Sequence, residues 1–370
     1  MATGANSNPR YRSLDGYRFI AASLVVLLHY QGEFDLHLGA ATPVVTSLEV
    51  MVDFFFVLSG FVIAVTYGKA MATIADYGRF LQRRVARLFP LHLAVLSVFV
   101  ALAFANNFGW LTANHVEALD FHALPANLLM LHAWGTVDHL SFNAGSWSIS
   151  AEWLSYLLFP LLLVLSRRCS FAANLAAVIG AIAVFTLWRD ATGTRAWYEA
   201  TYDYGALRAL PTFFLGVVLA GLFEATPCSL RCPWPVVHLV FVTALASLFL
   251  PLRVVTIGLL ALVVLLAAIA ERGNTSSFVS SRLFGRLGDA SYAIYMIHGV
   301  PAIPIVFVLR KLGALGTPLA AGVAVVTYLA VLIAAWLIYT YFESPARRWL
   351  SGFGAREATV TPALALQAAS

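Results

Sequence analysis

Apolar residues run along this chain in stretches too long for the core of a water-soluble domain, and short basic segments break them at intervals. A helix needs about 20 mainly apolar residues to cross the hydrocarbon of a bilayer. Ten stretches meet or approach that length, at residues 17–31, 48–67, 88–106, 150–166, 172–188, 205–223, 235–250, 253–270, 289–309 and 318–342. The pattern predicts an all-α integral membrane protein, a single bundle of about ten transmembrane helices. We expect this transmembrane domain over residues 1–345 and an Ala-rich, weakly patterned tail over 346–370. No repeat of fixed period divides the chain, and no matched pair of interrupted helices marks two halves. The stretch ANLLMLHAW, within residues 107–149, is too short to span and is expected to be re-entrant or interfacial.

Composition sharpens this picture: 61% of the 370 residues are hydrophobic, 11% are charged, and the mean hydropathy is +0.82. Placing the N-terminus in the cytoplasm puts 17 of the 23 Lys and Arg inside, as positive-inside topology requires. Six lie outside or near the outer edge: Arg189, Arg195, Arg208, Arg253, Arg310 and Lys311. An even number of spans returns the C-terminus to the cytoplasm. The net charge of +5 is thus topological, and no nucleic-acid partner is implied. Cys169, Cys228 and Cys232 fall on the reducing side, so no structural disulfide is expected. Cys228 and Cys232 lack the further ligands of a tetrahedral metal set, and no metal is expected. The first apolar run also resembles a signal-peptide core, with GAA at 39–41 as a cleavage site. Its polar content argues for a working span instead.

That first span places Arg18 and His29 eleven residues apart. Both side chains then share a helix face, roughly 16 Å apart along the axis. A basic group in hydrocarbon costs on the order of 3 kcal/mol unless it faces protein or water. Asp53 in the second span and Glu152 in the fourth stand at a depth similar to His29, and either carboxylate is placed to orient it as a general base. A helix cap or local ion pair accounts for each acid taken singly. Arg83, Arg84 and Arg87 open the third span, where guanidinium groups suit a phosphate-bearing anion and equally suit positive-inside anchoring. The ninth span adds Tyr292, Tyr295 and His298, polar enough at mid-membrane to require a cavity wall or a polar partner.

These segments resemble the membrane acyltransferase-3 family, bacterial O-acyltransferases of surface glycans and some small molecules. The resemblance is carried by Arg18 and His29 around LDGYR, by DFFFVLSGF from Asp53, by RRVARLFP from Arg83, by WSISAEW from Trp147 and by SYAIYMIH from Ser291. It implies a ten-helix domain of the bacterial inner membrane, with both termini cytoplasmic. Acyl-CoA, in the first instance acetyl-CoA, would be the donor substrate, with no tightly bound cofactor. The acceptor would be a hydroxyl on a carbohydrate-containing molecule such as an exopolysaccharide, lipid-linked glycan or nodulation factor. By motif position His29 is the catalytic histidine and Arg18 its partner, while Arg84 and Arg87 match the family's Arg-x-x-Arg pair. One departure is Trp153, which stands where many members carry a second acid after Glu152. A secondary transporter or exporter, which also buries His, Asp, Glu and Arg, is the rival reading.

Overall fold

The protein is described here from a computed structural model that covers residues 11–38, 42–108, 116–273 and 275–352. The Gly-Ala-Ala triplet at 39–41 and the tail beyond 352 lie outside the described residues. All regular structure among the described residues is helical, and each of the ten apolar stretches forms helix. Eight helical segments among the described residues are long and apolar enough to cross a membrane. The other two differ for separate reasons. Helix α1, Arg12–Glu33, has 22 residues but carries Asp15, Arg18 and His29 along its length. The seventh apolar stretch, Trp234–Phe249, is short.

Helices α2 (Val50–Tyr67), α3 (Ile74–Asn107), α4 (Trp147–Arg168), α5 (Phe171–Ala191) and α6 (Gly205–Ala225) follow in order. Then come α7 (Trp234–Ala246) and α8 (Arg253–Arg272). Helix α3 departs most from the expected boundaries, starting fourteen residues before 88. Thr73 and Asp76 form a capping box there, so the basic segment 79–87 is helical and lies well inside the rod. A short amphipathic helix α9 (Arg282–Asp289) precedes α10 (Ser291–Ile297) and α11 (Gly299–Lys311). His298 alone separates the last two. Pro301 has no N–H to give the Ile297 carbonyl, which weakens the ladder at this point. Side chains serve the backbone nearby: Asn143 Nδ2 donates to the Met296 carbonyl at 3.0 Å, and Tyr30 donates to that of His298 at 2.8 Å.

Helix α12 (Pro318–Ile338) passes through a π-helical turn, Tyr339–Glu343, into α13 (Ser344–Gly352). The boundary expected after residue 345 therefore falls inside a helix. Helix α13 lies on α3, where Gln82 Nε2 donates to the Leu350 carbonyl at 2.9 Å.

Helix α6 is the centre of the bundle, packed against α2, α4, α5 and α8. In hydrocarbon there is no hydrophobic force between helices, so close van der Waals packing must hold them together. Small residues supply it. A methyl group on Gly60 would collide with the Phe213 carbonyl, and one on Gly216 with the Val57 carbonyl, so the α2 and α6 backbones run in direct contact. Helices α5 and α12 form the outer ring, only 22% buried over their most apolar windows.

Ion pairs add a second bond between α2 and α6. Arg208 donates from Nη2 to Asp53 Oδ2 at 2.7 Å and from Nε to Oδ1 at 3.2 Å, with both side chains buried. The guanidinium also reaches the Glu49 and Ala200 carbonyls and lies over the Trp147 ring. Similar pairing joins Arg189 to Asp203 and Arg253 to Glu49. Three of the six arginines and lysines that depart from the basic asymmetry are thus held by carboxylates. At the opposite, Arg-rich end, Glu271 accepts from the backbone N–H groups of Arg12 and Ser13, anchoring the α1 N-terminus with an anion.

The ANLLMLHAW stretch does not span. It forms a short helix, Leu124–Leu128, and turns that cap the bundle. His92 Nε2 donates to the Asn127 carbonyl at 2.8 Å, and Ser150 Oγ to that of Met130 at 2.8 Å.

Two substitution sets test this packing. Gly216→Ala is expected to lower the unfolding midpoint of the detergent-purified protein, while Gly221→Ala, which meets nothing within 4 Å, leaves it unchanged. Breaking the buried pair with Asp53→Leu or Arg208→Met strands one charge and costs about 3–5 kcal/mol. The double substitution removes both charges and loses less than Asp53→Leu alone, as chemical unfolding of the three variants measures.

Candidate active site

A cavity of about 470 Å³ opens among α1, α2, α3, α4 and α10 toward the Arg-rich end. Its lining includes four arginines, Arg18, Arg84, Arg87 and Arg347, and the carboxylates of Asp15, Glu152 and Asp289. Arg18 sits six residues along α1 and is paired with Asp15 at 3.2 Å. Arg84 is reached ten residues into α3, roughly 15 Å from its start at 1.5 Å per residue. Its Nη2 donates to the Tyr67 hydroxyl at 3.0 Å, and its guanidinium lies near the Tyr67, Phe80 and Tyr156 rings. Arg84 Nε is buried with no hydrogen-bond partner among the described residues. Arg87 pairs with Glu343 at the end of the π-helical turn and lies over the Tyr292 ring. Arg83 is exposed beside Tyr67 and does not line the cavity.

Glu152 belongs to this cavity and not beside His29. It accepts from the Tyr156 hydroxyl at 2.6 Å, and Tyr156 is in turn a neighbour of Arg84. Glu152, expected at the depth of His29, thus joins Arg84 around Tyr156 instead. Asp53 is also corrected: its two oxygens serve Arg208, so it does not orient His29. Arg208 is the partner the sequence reading missed, and its signal was a basic residue on the side that should carry few. Trp153, in place of a second acid, packs edge-on against Phe89 of α3.

His29 has a different partner. Its Nδ1 stands 2.6 Å from Nε2 of His298, and His298 Nδ1 stands 2.6 Å from the Tyr295 carbonyl oxygen. The two rings are nearly coplanar, 14° apart, with centroids separated by 4.8 Å. That separation matches the N···N distance plus the two ring radii, the geometry of imidazoles joined edge to edge. The proton positions follow from the partners. A carbonyl only accepts, so His298 Nδ1 carries the proton and its Nε2, in the neutral ring, is an acceptor. His29 Nδ1 then donates to it. His29 Nε2 is left with its lone pair, one turn from the end of α1.

The cavity and the imidazole pair adjoin without merging. The cavity lining ends at Ser148, Ile149 and Tyr295, and His29 and His298 are not part of it. Tyr295 spans the join, lining the cavity while its backbone carbonyl holds His298. Tyr292 lines the cavity and donates to the Leu88 carbonyl at 2.7 Å. Cys169, Cys228 and Cys232 are free thiols.

Comparison with known proteins identifies the family of the chain. The family model described as an acyltransferase domain, the third of the acyltransferase families, matches residues 11–340. The chain is 27% identical to "Acyltransferase MdmB" of Streptomyces mycarofaciens over 92% of each chain. It is 40% identical to "Protein 2 in picA locus" of Rhizobium radiobacter over 94 residues, 25% of this chain and 45% of that protein. No solved structure matches. The arginine-lined cavity and the histidine pair thus lie in a multi-pass membrane protein that belongs to the acyltransferase-3 family.

Proposed function

We propose that this acyltransferase takes an acyl group from acyl-CoA, acetyl-CoA in the first instance, and passes it to a hydroxyl of a carbohydrate-containing acceptor, with His29 as general base. The observation that carries the reading is the fixed imidazole pair. It holds His29 in one tautomer with Nε2 as the basic atom, and positions a second imidazole to accept from Nδ1 when Nε2 takes up a proton. The cavity supports the donor. Its four guanidinium groups, and the buried Arg84 Nε without an acceptor, suit the phosphates of a nucleotide-like anion. Arg18 and Arg87 belong to the same wall, while Arg83 serves as an outer basic residue that attracts the anion. Tyr292 shapes the cavity and Glu152 fixes Tyr156 beside Arg84.

In the reaction the acceptor oxygen attacks the thioester carbon as its proton passes to His29 Nε2. Collapse of the intermediate expels the CoA sulfur, which regains that proton. The carbohydrate acceptor rests on the motif resemblance to acyltransferases of surface glycans. The protein is assigned on the same grounds to a bacterial inner membrane, with the Arg-rich end and both termini cytoplasmic.

Purified protein in lipid nanodiscs, given labelled acetyl-CoA and a panel of glycans, tests the assignment. Wild type is expected to label at least one hydroxyl acceptor, and His29→Ala to reduce transfer about 10²–10⁴-fold. Arg84→Gln raises KM for the donor about tenfold while leaving more of kcat, as loss of one charge-assisted bond requires. Transfer that persists in His29→Ala rejects the base, and uptake of a solute without acyl-CoA consumption favours a transporter. Orientation has its own measurement. Cys228 is exposed, so a membrane-impermeant maleimide should label it in inverted vesicles and not in intact spheroplasts.

A further inference from the structure

An acyl transfer of this kind puts negative charge on the thioester carbonyl oxygen, and a fixed donor at that oxygen is commonly a large part of catalysis. Three of the four cavity arginines hold Asp15, Tyr67 and Glu343, and the fourth, Arg347, stands in the first turn of α13 just after Glu343. Three tyrosines, Tyr156, Tyr292 and Tyr295, line the cavity, and the hydrogen bonds of their hydroxyls separate them. The Tyr156 hydroxyl gives its proton to Glu152 at 2.6 Å, and that of Tyr292 gives its own to the Leu88 carbonyl at 2.7 Å. Tyr295 differs. Its oxygen accepts from Ser148 Oγ at 2.8 Å, and its proton has no acceptor among the described residues.

Location adds to this. Tyr295 is 5% exposed and held edge-on against Phe55, so its ring is fixed. Its carbonyl accepts from His298, the residue that orients His29, so phenol and imidazole pair are built on one helical turn. A methyl group on Gly145 would lie 3.7 Å from the His298 ring and 3.8 Å from that of Tyr295, so both rings border the same small space.

We propose that the Tyr295 hydroxyl is the oxyanion donor of the reaction, with Ser148 as the positioning residue that turns its proton into the cavity. The assignment rests on the acyl-CoA reading above. The steps balance as follows. The acceptor oxygen bonds to the thioester carbon, and its proton goes to His29 Nε2. The carbonyl electron pair moves onto oxygen, where the Tyr295 O–H donates without transferring its proton. The pair then re-forms the carbonyl, the carbon–sulfur bond breaks, and the thiolate takes the proton from His29. Ser148 Oγ also has the Gly145 carbonyl within 3.2 Å, so removing the phenol oxygen leaves its proton an acceptor.

Tyr295→Phe in nanodiscs is the test, with kcat and KM measured for acetyl-CoA and binding measured with a thioether analogue that cannot transfer. We expect kcat to fall about 10²–10³-fold, with the analogue's Kd within threefold of wild type. Ser148→Ala is expected to lower kcat about tenfold, again with Kd unchanged, because the phenol proton is then free to turn away. A Tyr295→Phe enzyme within threefold of wild-type kcat overturns the assignment while leaving His29 and acyl-CoA in place. Should Tyr295→Phe fail to bind the analogue, Ser148→Ala decides, and an unchanged kcat there overturns it as well. If wild type transfers nothing from acetyl-CoA, the reading beneath the assignment fails, and this assignment fails with it.

Discussion

A charged or strongly polar side chain surrounded by hydrocarbon must find a partner or a polar space, because the bilayer offers it no water. That constraint organises this bundle. Asp53 and Arg208 meet it by pairing with each other, about two turns along α2 from Gly60, which brings the α2 and α6 backbones into contact. Glu271 meets it at the first turn of α1, and Arg87 and Glu343 meet it across α3 and the π-helical turn. Each of these pairs ties two helices together, and such satisfied pairs define an orientation for the helices even where their net contribution to stability is small. A π-turn is an uncommon backbone form that recurs at functional sites, and here it delivers the carboxylate to the cavity arginine.

What is left after this pairing has a different character. Arg84 keeps a buried Nε without an acceptor, and His29 keeps a nitrogen lone pair beyond its bond to His298. Polar capacity left open inside a membrane bundle is costly, and these two groups stand in adjoining places. Tyr295 joins the two, since one residue both lines the cavity and supplies the carbonyl that fixes His298.

The capping segment at 116–146 plays a supporting part. Asn143 holds the Met296 carbonyl beside the helix break, and Ser146 and His132 share a 3.0 Å bond just before α4 begins. The segment between α3 and α4 therefore steadies the same turn that carries the histidine partner.

Hydrophobic run length determined that the chain is an α-helical membrane protein, because backbone groups in a bilayer must be satisfied within each segment. The motifs at Arg18, His29, Arg84, Arg87 and Glu152 likewise marked residues whose burial needs a reason. Depth along a single helix was readable to within a few residues, except at α3, where the capping box lay outside the apolar stretch. Lateral neighbours were not. Asp53 and Glu152 stood near His29 in depth, yet Arg208 took one and Tyr156 the other. His298, distant by 269 positions, took their place. Sequence spacing fixes which residues share a face of one helix, while the rotation and tilt of each helix against the others decide which faces meet. Only the tertiary packing of α1, α3, α4 and α10 could turn a set of buried polar residues into one cavity and one imidazole pair.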